Sequence, residues 1–86
     1  MVSIYDLQPD DIVALWRLVG FVREQLIEEF HPKGFNIGVN DGEAAGQTVP
    51  HAHVHLIPRY NGDVEDPRGG VRWVIPKKAD YWSKPA

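Results

Sequence analysis

The sequence predicts a small α+β domain: one long helix followed by antiparallel strands. Three observations carry this. At 86 residues the chain supports a single small core. Apolar residues recur at helical spacing from residue 9 to residue 30. After His31 the apolar period drops to two, in segments bounded by turn residues.

The helix is expected over residues 9–30. Pro9 suits a first helical position, where its missing N–H costs nothing. Asp10 and Asp11 place negative charge at the positive end of the helix dipole. Ile12, Leu15, Trp16, Val19, Val22, Leu26 and Phe30 form an apolar stripe. Val13, Leu18, Phe21 and Ile27 widen it beyond one face, which suggests a second contact such as a partner subunit. Gly20 interrupts the helix, as a close helix–helix approach would require. His31-Pro32-Lys33-Gly34 ends it.

Phe35, Ile37 and Val39 alternate with Asn36, Gly38 and Asn40, giving a strand over 35–40. Asn40-Asp41-Gly42 is turn chemistry, and a small-residue loop runs to Thr48. A second strand is expected over 49–58, ended by Pro58 and antiparallel to the first. Val71-Arg72-Trp73-Val74-Ile75 offers a third over 71–75. Residues 77–86 read as a tail anchored by Tyr81 and Trp82. A two-stranded ribbon on one helix rarely stands alone, so the chain should associate or belong to a larger unit.

Bulk composition excludes several classes. The formal charge is −3 and the pI about 5.7, which argues against coating nucleic acid. No apolar run approaches the ~20 residues of a membrane span. The opening Met1-Val2-Ser3-Ile4-Tyr5-Asp6 does not read as a signal peptide, and the chain has no cysteine. The expected location is cytoplasmic.

His51, His53 and His55 dominate the chemistry: three of the chain's four histidines at alternate positions. On a strand they would project from one face about 7 Å apart, with Ala52, Val54 and Leu56 facing a core. Four readings are open. The histidines have no joint role; they bind a metal; they perform nucleophilic or acid–base chemistry on phosphate; or they form a switchable partner surface. Metal is disfavoured, because the outer pair would lie about 13–14 Å apart along a strand. Phosphate chemistry gains from Gly46-Gln47-Thr48, a loop offering N–H groups, an amide and a hydroxyl, and from Asn40. Arg59, Arg68 and Arg72 are further phosphate candidates, though solvated charge is their default.

The stretch Gly46-Gln47-Thr48-Val49-Pro50-His51-Ala52-His53-Val54-His55-Leu56-Ile57-Pro58-Arg59 resembles the signature of the histidine-triad (HIT) superfamily. The family pattern is His-x-His-x-His-x-x with x hydrophobic, and every position is met. The segments from Phe35 to Asn40 and from Arg68 to Pro76 are similar to a bacterial branch resembling diadenosine polyphosphate hydrolases. The resemblance implies a HIT-like α+β fold and a nucleotide hydrolase or nucleotidyltransferase. Its substrates would be dinucleoside polyphosphates or nucleoside phosphoramidates, attacked at the α-phosphate. It implies His53 as nucleophile forming a nucleotidyl-histidine, His55 on phosphate or bridging oxygen, and His51 supporting His53. Asn40 and Gln47 would lie near the phosphates and Thr48 near the leaving group. No metal or cofactor would be required. Family members carry a hairpin and a strand ahead of the helix, so residues 1–86 would be one partial domain. Either a start placed too far downstream or a genuinely short form would explain this. The sheet would be completed in a homodimer built on the helix and the strand 35–40. The alternative is a nucleotide- or partner-binding remnant without turnover.

Overall fold

A computed structural model describes residues 2–83. A short 3-10 turn, Ile4–Asp6, opens the chain, its start closed by Ser3 and Asp6. Helix α1 follows, Pro9–Phe30. Pro9 occupies its first turn, and Gln8 makes no side-chain cap. His31 ends it in the left-handed conformation, φ 53°, donating its N–H to Ile27 O. A non-glycine residue accepts that conformation at some cost, and Pro32 then prevents any continuation.

Strand β1 (Gly34–Gly38) pairs antiparallel with β2 (His55–Arg59) in a two-stranded sheet. Phe35 lies opposite Pro58, and Gly38 opposite His55. The second strand is therefore shorter than 49–58. The ladder ends at Gly38–His55, and the residues from Val49 to Val54 have no strand to pair with among the described residues. Pro58 is tolerated inside β2 because both strands of a two-stranded sheet are edges. β1 likewise stops two residues before Asn40.

The expected strand over 71–75 is instead a 3-10 helix, Gly70–Val74. Gly69 (φ 96°) just before it and Gly70 (φ 47°) at its first position turn the chain out of extension. The Trp73 indole then donates to Arg68 O at 2.7 Å and holds the turn closed. The tail carries a second such turn, Pro76–Lys78, and ends its described part at Ser83. The last three positions of the expected tail, 84–86, lie outside the described residues.

Helix α1 packs on β2, and the Arg23 guanidinium lies 5.2 Å over the Phe35 ring of β1. Phe35, Ile37, Leu56 and Pro58 share the helix side of the sheet by alternation. Asn36, Gly38, His55, Ile57 and Arg59 share the other, where Gly70–Val74 packs.

Burial is shallow. Among the described residues only Ala79 and Gln47 are buried, and α1 contributes none. Its inner face, Ile12, Leu15, Val19, Val22, Leu26 and Ile27, is half-buried. Val13, Trp16, Leu18, Phe21 and Phe30 are exposed. The accessible surface is 6968 Å², against about 5,100 Å² for a compact chain of this mass. The radius of gyration is 15.3 Å, against about 12 Å for a compact fold. No helix among the described residues is long and apolar enough to cross a membrane.

Candidate functional site

The three histidines do not form a regular row. Only His55 belongs to β2; His51 and His53 precede it in irregular backbone. His55 is half-buried and His53 exposed. Their rings meet edge to face, centroids 4.8 Å apart at 73°. His53 Nδ1 lies 2.9 Å from the backbone carbonyl of His51. A carbonyl only accepts, so Nδ1 must carry the proton in that contact. Nε2 of neutral His53 is then left with its lone pair free, the form in which imidazole attacks an electrophile. The contact from His51 to the His53 ring is thus made by its main chain. His55 Nε2 is buried without a hydrogen-bond partner.

The small-residue loop is built differently from a phosphate cradle. Gly42 and Gly46, at φ 99° and 96°, bracket a 3-10 turn, Glu43–Ala45. The N–H groups of Ala45, Gly46 and Gln47 are spent on Gly42 O and Glu43 O within the loop. The Gln47 amide is spent as well. Its Oε1 accepts from Gly42 N at 2.8 Å, and its Nε2 donates to Val2 O at 2.8 Å. Gln47 therefore clamps the loop to the start of the chain.

Two cavities divide the other site residues. Gln47 and Thr48 line one of 480 Å³ beside Val2 and Pro50. Asn40 and His55 line another of 610 Å³, between the sheet and Gly70–Val74. Asn40 and Thr48 are both exposed. Asn40 Nδ2 links the two regions, 4.0 Å from where a side chain on Gly46 would begin. The wall contributed by Gly70, Val71 and Val74 was not foreseen, because that segment reads as a strand. The Gly69-Gly70 pair was the signal against extension.

The arginines are committed elsewhere. Arg59 grips Asp63 with Nε and Nη2, at 2.7 and 2.9 Å, and donates Nη1 to Asn36 Oδ1. Its guanidinium, with Tyr60 N–H, holds the Asp63 carboxyl far below the usual carboxylate range. Arg68 pairs with Asp66 and lies 4.9 Å over Trp82. Arg72 donates to Lys78 O and lies 4.9 Å over Tyr81. Among the described residues no group of three or more His, Cys, Asp or Glu is placed to hold a metal.

A family profile described as the HIT domain matches residues 1–62, which contain the whole histidine run. A bis(5'-nucleosyl)-tetraphosphatase (asymmetrical) of Schizosaccharomyces pombe is 43% identical over 61 residues, 71% of this chain and 34% of its own length. A bis(5'-adenosyl)-triphosphatase of Dictyostelium discoideum is 35% identical over 63 residues, 73% of this chain and 42% of its own. Among solved structures, a zinc-bound histidine triad family protein from Mycobacterium smegmatis superposes with a TM-score of 0.65 at 38% identity. That superposition covers 73% of this chain and 46% of the other. The match thus spans 34–46% of the length of these relatives.

Proposed function

The chain belongs to the HIT family, and from that premise we propose that it cleaves nucleotides at the α-phosphate through a nucleotidyl-histidine. The substrates are dinucleoside polyphosphates, in keeping with the names its relatives carry, or nucleoside phosphoramidates.

The observation that carries the reading is the bond from His53 Nδ1 to His51 O. It leaves the lone pair of His53 Nε2 free on an exposed ring. Nε2 forms a bond to phosphorus, and the leaving group departs with the P–O or P–N bonding pair, an amine nitrogen taking up a proton from solvent as it leaves. Nδ1 keeps its proton, so the intermediate is a cationic N-phosphorylated imidazole. Its positive charge makes it a good leaving group for the next step. Water then attacks phosphorus, the P–N bond returns its pair to Nε2, and the water proton passes to solvent. His55, edge-on to His53, sits beside the phosphate oxygens in this scheme, with Asn40 nearby. Imidazole itself is the nucleophile, so we propose that the triad needs no metal or cofactor. We place the chemistry in the cytoplasm, whose reducing conditions a cysteine-free chain meets unchanged.

We also propose that the chain acts as a homodimer. The exposed apolar residues of α1 support this, as does surplus surface exceeding the ~800 Å² each partner gives a standard interface.

The test is intact-mass analysis after incubation with a nucleoside phosphoramidate. The wild type should gain one nucleoside monophosphate, and His53→Ala should gain none. Monophosphate release should fall on the order of 10⁴-fold or more in that variant. Undiminished turnover would remove His53 from the mechanism.

A further inference from the structure

We infer that the cleft between the sheet and Gly70–Val74 seats an uncharged ring, such as a nucleobase, on the leaving side of the substrate. The inference rests on the reading above, in which His55 faces the oxygens around the scissile bond. A cleft walled by His55 then receives what lies beyond that bond.

Three observations point to a ring. The cleft holds 610 Å³, within the range of small-molecule sites. Its lining contains no Asp, Glu, Lys or Arg, so a polyphosphate chain would find no charged partner there. It offers instead the apolar side chains of Ile57, Val71 and Val74, respectively 49%, 60% and 82% exposed. Apolar surface around a few convergent polar groups is the composition of a site for a flat, neutral ligand. The polar groups are the Asn36 and Asn40 amides and His55, whose Nε2 is the orphaned buried side-chain atom of the described residues.

Gly38 adds a geometric argument. It lies directly opposite His55, so a side chain there would share the face of the His55 ring. A Cβ at Gly38 would meet nothing within 4 Å, which leaves the floor of the cleft open. The strand does not need that glycine for its backbone, since Gly38 is absent from the positive-φ glycines.

Gly38→Val fills this space with a β-branched residue suited to a strand. It should lower kcat/KM for a dinucleoside polyphosphate by about tenfold or more, the usual effect of a steric misfit in a pocket. A nucleoside phosphoramidate with a small amine leaving group should be cleaved as by the wild type, which also shows that the variant folds. Independently, titration of wild-type protein with adenosine, followed by amide NMR, should shift Gly38, Gly70 and Val71. If Gly38→Val slows both substrates alike, or adenosine shifts none of these amides, the cleft assignment fails while the nucleotidyl adduct upholds the functional reading. If the amides shift but no adduct forms, that reading fails and the cleft remains a ring-binding site.

Discussion

His53 Nδ1 lies 2.9 Å from the main-chain oxygen of His51, and the His51 ring is not part of that contact. The two histidines are therefore unequal under substitution. His51→Ala keeps the carbonyl and the tautomer it selects, so activity should fall no more than about 10–100-fold, the range for a group that orients another. His53→Ala removes the attacking nitrogen and should cost on the order of 10⁴–10⁶-fold. Parallel assays of monophosphate release check the order, and equal losses would mean the His51 ring is needed in its own right.

Gln47 is one of two buried residues among those described, and its amide bridges Gly42 N and Val2 O at 2.8 Å each. Gln47→Leu keeps the volume but leaves both backbone groups without their partner. The expected cost is about 1–3 kcal/mol of stability. Urea denaturation measures it, and faster hydrogen exchange at the Gly42 amide localises it. Unchanged exchange there would deny the clamp.

How much of this was legible in the sequence depends on the range of each interaction. The spacing of Ile12, Leu15, Val19 and Val22 reports a helix because its hydrogen bonds are local. The alternation of His51 to Leu56 promised a strand, yet a strand needs a neighbour, and β1 reaches only as far as His55. Val71-Arg72-Trp73-Val74-Ile75 has strand composition, but Gly69 and Gly70 turn the backbone before it. The histidine run and the family it marks were visible in its spacing. That His51 meets His53 with its carbonyl was not, because every residue has one. The Gln47 clamp was equally hidden, since one of its partners lies 45 positions away.

The Arg59–Asp63 pair sets an acid response. The Arg59 bonds, then the Tyr60 N–H, depress the Asp63 carboxyl relative to the unfolded chain. A depressed carboxylate contributes stability above the unfolded value of about 3.9 and loses it as pH falls through the folded value. The turn after β2 should thus stay closed through mild acid and open only in strong acid. Carboxyl NMR of Asp63 should show a midpoint well below an ordinary aspartate, and Arg59→Gln should raise it. A midpoint unmoved by that substitution would assign the shift to something other than Arg59.

Gly20 separates the stability of the chain from that of its proposed dimer. It is exposed in the middle of α1, and an added Cβ meets nothing within 4 Å. Alanine there should stabilise the isolated helix by roughly 0.8–1 kcal/mol, the ordinary penalty for glycine. Val13, Trp16 and Gly20 are spaced three and four residues apart, so they lie along one face, and both side chains are exposed. If a second copy covers that face, the glycine is where two helices approach most closely, and a methyl group pushes them apart. Gly20→Ala should then raise the denaturation midpoint at low protein concentration and weaken dimerisation in sedimentation equilibrium. Opposite signs in the two measurements place Gly20 in the interface. A stabilised chain with unchanged dimerisation places the interface elsewhere on the helix.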